Sequence, residues 1–74
     1  MWILSQDKLS LEGCDRICVL KTGENRYTVL GNGYKTLGIY STEAKAKKVL
    51  EWCYEQIVRK DSPNILAMPQ EDEI

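Results

Sequence analysis

The segment Gly31-Asn32-Gly33 constrains the fold of this chain more than any other short stretch. It lies between two runs rich in β-favouring residues, Arg26–Leu30 and Tyr34–Tyr40. Asn-Gly between such runs is the usual two-residue hairpin turn, because both residues tolerate positive φ. A third such run, Arg16–Lys21, precedes the hairpin, and Gly38 inside the returning strand indicates a β-bulge or a close backbone approach. The sequence therefore predicts an antiparallel β-meander.

One helix is predicted directly after this meander. Ser41 or Thr42 can accept hydrogen bonds from the first free N–H groups, and Glu43 suits the positive end of the helix dipole. Apolar residues then recur at helical spacing, and the helix is predicted to run from about Glu43 to Arg59 or Lys60. The apolar stripe consists of Ala46, Val49, Leu50, Cys53 and Ile57. The predicted fold class is α+β: an antiparallel meander of three or four strands covered by one C-terminal helix.

The two ends of the chain are more apolar than free termini usually are. Met1–Leu4 is typical of a short strand, and a terminal strand is ordered only when it pairs into a sheet. Its predicted pairing partner is the Tyr34–Tyr40 strand, the Arg16–Lys21 strand or a second copy of the chain. We assign residues 1–63 to a single domain and residues 64–74 to a C-terminal tail that is first apolar and then acidic.

Four apolar side chains of these ends are candidates for a subunit interface. A chain of 74 residues buries only about 60% of the surface that its unfolded form exposes, so oligomerisation is a common source of extra stability. Trp2 either caps the thin core beside the helix or lies at an interface, where Trp is enriched. The apolar part of the tail either packs on this domain or crosses to a partner subunit. The sequence thus predicts a homo-oligomer with these candidate interface residues: Trp2, Ile65, Leu66 and Met68.

Composition argues against a catalytic or metal-binding protein. No His is present for general acid–base catalysis near neutral pH. Cys14 and Cys18 are spaced like one half of a zinc site whose second half is absent. We expect Cys14 to be the most exposed thiol and Cys53 to lie in the core, and we expect no enzyme activity, no metal and no cofactor. The odd number of cysteines, without a signal-peptide pattern, predicts reduced thiols in the cytoplasm.

Charge and hydropathy narrow the range of partners. The apolar runs fall far short of the ~20 residues that span a bilayer, so no membrane association is expected. The formal net charge is −1, whereas a general nucleic-acid binder is clearly basic. Without residues 70–74 the chain carries ten basic and eight acidic residues. The predicted body is therefore mildly basic and ends in a short acidic segment.

One flank of the predicted helix combines an aromatic ring with cations and an amide. At about 100° per residue, Trp52 lies off the apolar stripe, with neighbours one and two turns away on the same side. A flat ring can stack on the indole while a cation meets a phosphate, so this flank is a candidate ligand site. Its residues are Lys45, Lys48, Trp52, Gln56 and Arg59. An acidic groove of a partner protein suits the flank equally, and a third interpretation is a solvated flank whose Trp folds back against the sheet edge or the tail.

Two arginines on adjacent predicted strands form a second candidate anion site. Arg16 and Arg26 would repel each other if they lay close together, unless an anion were bound between them. The alternative is that both point to solvent at different heights along the sheet.

Three stretches resemble a group of small proteins found in Firmicutes genomes and their phages. These stretches are M-W-I-L-S-Q-D-K, L-G-I-Y-S-T-E-A-K-A-K-K-V-L and A-M-P-Q-E-D-E. Members of the group often begin M-W-I-R-S-Q-D-K, so Leu4 stands where Arg is common. The resemblance covers most of the chain and implies a phage or mobile-element origin, hence the cytoplasm of a bacterial host, but no activity.

Three functional hypotheses follow. The first is a non-catalytic phage-type binding protein, an anti-defence protein that sequesters a nucleotide-like host immune signal between the subunits of an oligomer. The second is an inhibitor or adaptor that docks on a host protein through the helix flank or an open sheet edge. The third is a structural domain without a small ligand.

Overall fold

The computed structural model describes residues 2–58 and 65–74. The elements in chain order are β1 (Trp2–Leu4), β2 (Leu11–Gly13), β3 (Ile17–Gly23), β4 (Arg26–Gly31), β5 (Lys35–Tyr40), α1 (Glu43–Val58), β6 (Ile65–Ala67) and a 3₁₀ turn (Glu71–Glu73). Strands β3-β4-β5 form one sheet, the meander sheet, and strands β2-β1-β6 form a second, the terminal sheet. The predicted α+β class with a single helix on a sheet is confirmed, whereas the second sheet was not predicted.

The meander sheet follows the local signals of the sequence. Asn32 and Gly33 both have positive φ, 54° and 83°, and the N–H of Tyr34 donates to the carbonyl of Gly31 at 3.2 Å. This is the geometry of the predicted hairpin turn. The register of β4 against β5 moves from Gly38 to Thr36 over one residue of β4, so a β-bulge lies beside Gly38, as predicted.

Helix α1 packs against all three strands of the meander sheet. The N–H of Lys45 donates to Thr42 Oγ1 at 3.2 Å, which confirms a cap at the predicted start. Within the predicted stripe, Ala46, Val49 and Cys53 are buried, and Leu50 is half-buried. The helix is described as far as Val58; its predicted end at residues 59–60 and the side chain of residue 57 lie outside the described part of the chain.

The terminal sheet brings the two ends of the chain together. Strand β1 pairs antiparallel with β2, placing Trp2 opposite Gly13, and parallel with β6, placing Trp2 opposite Ile65. The predicted pairing of β1 with one of the meander strands was therefore wrong. The Trp2 ring lies over Gly13, and a Cβ there would be at ordinary van der Waals distance from the ring, 3.6 Å. A glycine that usually weakens a strand is thus accommodated in β2 by a neighbouring aromatic ring.

The C-terminal segment after β6 is tied back onto the body of the chain. Tyr40 Oη donates to the carbonyl of Pro69 at 2.8 Å, and Gln70 Nε2 donates to the carbonyl of Gln6 at 2.6 Å. The N–H of Ser41 donates to Glu71 Oε1 at 2.6 Å. Hydrogen bonds from the side chain and the backbone of Ser41 lower the pKa of the Glu71 carboxyl. These contacts place the acidic end of the tail beside the start of α1.

One hydrophobic core lies between the helix and both sheets. Its buried members come from β1, β4, β5, α1 and the tail, among other segments: Ile3, Cys14, Val29, Leu37, Tyr40, Ala46, Val49, Cys53, Leu66 and Met68. Leu66 and Met68 are each only 2% exposed, so they pack on their own domain and are not available as interface residues. That corrects their predicted role.

Trp2 and Ile65 have a different environment from the buried tail residues. They are 53% and 49% exposed and lie side by side on the outer face of the terminal sheet, whereas Ile3, the next residue of β1, points into the core. Trp2 therefore does not cap the core beside the helix, and both residues remain available for an interface.

Candidate functional site

An open cleft of about 440 Å³ lies between α1, the loop that joins β1 to β2, and the C-terminal segment. The residues that line it are Lys8, Lys48, Val49, Trp52, Ala67, Met68, Pro69, Glu73 and Ile74. Small-molecule sites commonly have volumes of roughly 300–1,000 Å³. This concavity, which we call the cleft, is therefore large enough for a ligand of mononucleotide size.

The floor of the cleft is apolar. Val49 and Met68 belong to the buried core, and Trp52 is half-buried and packs against that core. Trp52 thus contacts the core while still bordering the cleft, close to the tail residues Ala67 and Pro69. The indole packs against the core that includes Met68 of the tail, and it lines the same cavity as Lys48.

Two lysines at the rim of the cleft have neither a carboxylate nor an aromatic ring as a partner within residues 2–58 and 65–74. Elsewhere, lysine ammonium groups have partners: Lys35 with Glu12 at 3.7 Å, Lys45 with Glu71 at 3.9 Å, Lys47 with Glu43 at 3.7 Å, and Lys21 with the Tyr27 ring at 5.8 Å. Within residues 2–58 and 65–74, the two lysines that lack such a partner are Lys8 and Lys48, and both line the cleft.

One acidic side chain, Glu73, also lines the cleft. Its Oε1 atom accepts a hydrogen bond from the N–H of Gln70 at 2.7 Å within the 3₁₀ turn. Part of its charge is therefore directed to the backbone of its own turn. Among the described side chains that line the cleft, the two lysines outnumber the one carboxylate, which favours an anion.

The loop that presents Lys8 is fixed by its own hydrogen bonds. Ser5 Oγ donates to Asp7 Oδ1 at 2.5 Å and accepts from the N–H of Ser10 at 3.1 Å. Asp7 Oδ1 also accepts from the N–H of Leu9 at 3.0 Å, and the N–H of Lys8 donates to the carbonyl of Ser5 at 2.9 Å. The hydrogen bond from the Ser5 side chain, with that from Leu9, lowers the pKa of Asp7. Asp7 thus acts as an ionised centre of the loop at neutral pH.

Two other residues of the predicted helix flank, Lys45 and Gln56, do not line the cleft. Lys45 points toward Glu71 of the tail, with which it forms an ion pair. Gln56 is half-buried and is not among the residues that line the cleft, and Arg59 lies outside the described residues. The structure thus brings together Lys48 and Trp52 from the flank and adds Lys8 from the opposite end of the sequence.

Arg16 and Arg26 do not form one anion site. Arg16 Nη2 donates to the carbonyl of Asn32 at 3.3 Å, at the end of the meander sheet where Ile17 pairs with Gly31. Arg26 pairs with Gly23 at the other end of the same two strands. At 3.3–3.4 Å per residue, their backbones are about 20 Å apart. The alternative interpretation, two arginines at different heights, is the one that the structure bears out.

The thiols offer no reactive group at the cleft. Cys14 is buried, contrary to the prediction that it is the most exposed thiol, because it packs against Gly31 of the meander sheet. Burial, together with the nearby Glu12, raises the pKa of Cys14. Burial also raises the pKa of Cys53 to about 11. Both thiols are therefore inert protonated groups of the core near neutral pH.

The described residues contain neither a cluster of metal-binding side chains nor a membrane-spanning helix. No group of three or more His, Cys, Asp or Glu side chains in residues 2–58 and 65–74 is arranged to hold a metal ion. In the same part of the chain, no helix has the length and apolar character needed to cross a membrane.

Comparison of the chain with protein-family models, with curated proteins and with solved structures found no match in any of the three. The resemblance to small Firmicutes and phage proteins therefore stays a prediction. Inferences about function rest on the cleft and on the exposed surfaces of this chain.

Proposed function

We propose that the protein is a non-catalytic binding protein that captures a nucleotide-like anion in the cleft. One observation carries the proposal: the two described lysines without a carboxylate or aromatic partner, Lys8 and Lys48, line the same cavity as the Trp52 indole. A surface lysine usually remains solvated or pairs with a neighbouring carboxylate, and such pairs contribute little to stability. Two unpaired lysines beside one aromatic ring instead favour a ligand that brings its own negative charge.

The chemistry of the cleft matches a flat ring linked to a phosphate. The ring would contact the apolar floor and stack on Trp52, where aromatic contacts contribute about 0.5–1.5 kcal/mol beyond the buried area. The phosphate would accept hydrogen bonds from the ammonium groups on the rim, and such charge-assisted bonds contribute roughly 1.5–3 kcal/mol each. Neither a histidine nor a cysteine lines the cavity, so these groups bind a ligand without an obvious nucleophile or proton shuttle.

In its more specific form, the proposal is that an oligomer of this chain sequesters a nucleotide signal that a bacterial host uses in its defence. The outer face of the terminal sheet supports the oligomer, because Trp2, Leu11 and Ile65 are each about half exposed there. Exposed aromatic and aliphatic side chains on one face are typical of interfaces between chains. The phage origin implied by the resemblance supports the choice of a defence signal as the ligand.

A second candidate function, docking on a host protein, is favoured by the meander sheet. Leu20, Thr28 and Ile39 are register partners across three strands, on the face turned away from Val29 and the core. Leu20 and Ile39 are 54% and 37% exposed. Strand β3 lies at the edge of this sheet, and an open edge can accept a strand from a partner. Docking at this surface does not require the cleft.

The test uses Trp52 as its own reporter. Trp2→Phe leaves Trp52 as the single tryptophan, and this variant is titrated with adenosine, AMP, ATP, cyclic di-AMP and cyclic di-GMP. We expect saturable quenching of Trp52 fluorescence, together with a rise in melting temperature, for at least one phosphorylated ligand. Native mass spectrometry of the wild type then gives the subunit number and the bound mass.

The matched control exploits two adjacent lysines of α1. Lys48→Ala removes an unpaired ammonium from the cleft, whereas Lys47→Ala removes one that pairs with Glu43 on the exposed side of the helix. We expect only Lys48→Ala to weaken binding, by about tenfold or more. A panel without any bound ligand, or equal losses in both variants, contradicts the proposal. Binding of a host protein that Leu20→Lys abolishes and Lys48→Ala does not affect would instead favour the second candidate.

A further inference from the structure

We infer that Lys8 is the specificity-determining residue of the cleft, and that it binds the phosphate of the ligand together with Lys48. This inference rests on the proposed function and adds to it that Lys8 determines the preference of the cleft for phosphorylated over unphosphorylated ligands. Lys8 comes from the loop between β1 and β2, and Lys48 comes from α1. Two ammonium groups from separate elements can contact different oxygens of one phosphate, which a single lysine of the helix cannot do.

The backbone conformation of Lys8 is the first independent support. Lys8 has φ = 63°, in the left-handed region. Among residues 2–58 and 65–74, the others with positive φ are Asn25, Asn32 and Gly33, which are the residue types that tolerate this region. A lysine there is less favourable than glycine or asparagine. Backbone strain of this kind is concentrated at functional sites, where the surrounding structure imposes it.

The hydrogen bonds of the loop are the second support. Ser5, Asp7 and the N–H of Lys8 fix the backbone of the loop, and none of these bonds uses the ammonium group of Lys8. The loop can therefore adopt the same conformation with a glycine at position 8. What lysine adds is a charged group at the rim of the cleft, held there by a backbone that has little freedom to move.

The deciding variant is Lys8→Gly. It removes the ammonium group and also relieves the left-handed strain, so we expect the fold to be retained with a urea midpoint close to that of the wild type. We expect the affinity for phosphorylated ligands to fall about tenfold or more, as for loss of a charge-assisted hydrogen bond. The affinity for adenosine, which has the ring without the phosphate, should change less than twofold.

Two further variants separate binding from structure. Lys8→Asn keeps a residue that tolerates positive φ and removes the charge, so it should lose the phosphorylated ligand as Lys8→Gly does. Asn25→Gly changes another left-handed turn residue, far along the chain from the cleft, and should bind as the wild type does.

The outcomes distinguish this inference from the proposed function. If the wild type binds none of the phosphorylated ligands, the proposed function fails, and the role of Lys8 fails with it. If the wild type binds AMP or a cyclic dinucleotide and Lys8→Gly binds it equally well, only the role of Lys8 is overturned. Equal losses for adenosine and AMP in Lys8→Gly would show a structural role and would also overturn it.

Discussion

The meander sheet and the terminal sheet have three strands each but depend on contacts of different range. Strands β3, β4 and β5 contain six or seven residues and are joined by short turns, so each strand pairs with its neighbour in sequence. The strands of the terminal sheet contain three residues each, and β1 pairs with β6, which begins at Ile65. The meander sheet, whose strands are neighbours in sequence, supports the helix. The terminal sheet, whose strands come from distant parts of the chain, creates the cleft. In this chain the geometry of the cleft is therefore a product of the contacts that are entropically costly to form.

The two sheets are nevertheless joined into one structure. The N–H of Gln6 donates to the carbonyl of Leu37 at 2.7 Å, and Gln6 Oε1 accepts from the N–H of Ile39 at 2.9 Å. Cys14, directly after β2, packs against Gly31 at the end of β4. Because the core is also shared, we expect the sheets to unfold together.

Truncation of one core residue from each sheet tests this most strongly. Ile3 of the terminal sheet is fully buried, and Leu37 of the meander sheet is 1% exposed. Ile3→Ala and Leu37→Ala should each lower the free energy of unfolding by about 2–5 kcal/mol, since each removes buried methylene and methyl groups and leaves a cavity. Urea denaturation followed by circular dichroism and by tryptophan fluorescence should give coincident transitions. If Ile3→Ala left the global transition unchanged and only accelerated hydrogen exchange in residues 2–13, the sheets would be separate folding units.

Alkaline pH should have the next largest effect on stability, and it acts on one core residue of the meander sheet and one core residue of the helix. Burial raises the pKa of Tyr40 from 10.0 to about 12 and that of Cys53 from 9.0 to about 11. Both groups ionise more readily in the unfolded chain, so the stability that they contribute is complete below about pH 9 and is lost as the pH rises toward 12. A shift of this size corresponds to roughly 3 kcal/mol per group. We expect the free energy of unfolding to be level from pH 7 to 9 and to fall steeply above pH 10.

Tyr40→Phe isolates one of the two contributions. This variant loses the hydrogen bond to the Pro69 carbonyl and should be less stable at pH 7 by about 1 kcal/mol. Its stability should then fall less steeply than that of the wild type between pH 10 and 12, because the Tyr40 contribution is absent and only the buried thiols Cys14 and Cys53 still have a raised pKa. Parallel stability curves for wild type and variant over this range would contradict the assignment to Tyr40.

A close contact between the sheets gives a third prediction. A Cβ at Gly31 would lie 2.6 Å from Cys14 Sγ and 3.2 Å from a methyl carbon of Leu37. Gly31→Ala should therefore destabilise the chain by about 1–3 kcal/mol, as overpacking of a tight core does. In Cys14→Ala the sulfur is absent, so adding Gly31→Ala there should cost less. A double-mutant cycle measures the difference, and strictly additive effects would show that the two residues do not press on each other.

The sequence was sufficient to predict the parts of the fold that depend on neighbouring residues. The Asn32–Gly33 turn, the bulge beside Gly38 and the Thr42 cap each depend on the conformational preference or hydrogen bonding of a few adjacent residues. The pairing of β1 with β6 was not predictable in this way. Strands of three residues carry too short a pattern to specify a register or a partner.

The candidate site was predicted in part for the same reason. Helical spacing places Lys48 and Trp52 on one flank of the helix, independently of the tertiary structure. Lys8, Met68 and Pro69 reach the cleft only because the two ends of the chain meet beside that flank. Ser5 and Asp7 indicate a turn by their chemistry, but the side of the molecule to which the turn directs Lys8 depends on tertiary structure. Arg16 and Arg26 do not form the candidate anion site. The prediction that two strands are adjacent does not fix how far along each strand a residue lies.

Gln6 provides the smallest and most selective test of how the two sheets are joined. Gln6→Ala removes the side-chain acceptor of the Ile39 N–H but keeps the backbone bonds of Gln6 to Leu37 and to Gln70. Because the Ile39 N–H can turn to water, the loss should be about 0.5–1.5 kcal/mol, measured by urea denaturation. The consequence for the cleft should be larger than that for stability, since Gln6 lies in the loop that presents Lys8. Unchanged ligand affinity in Gln6→Ala would mean that the Ser5 and Asp7 hydrogen bonds alone hold the loop, and that the link to the meander sheet supports the fold without shaping the site.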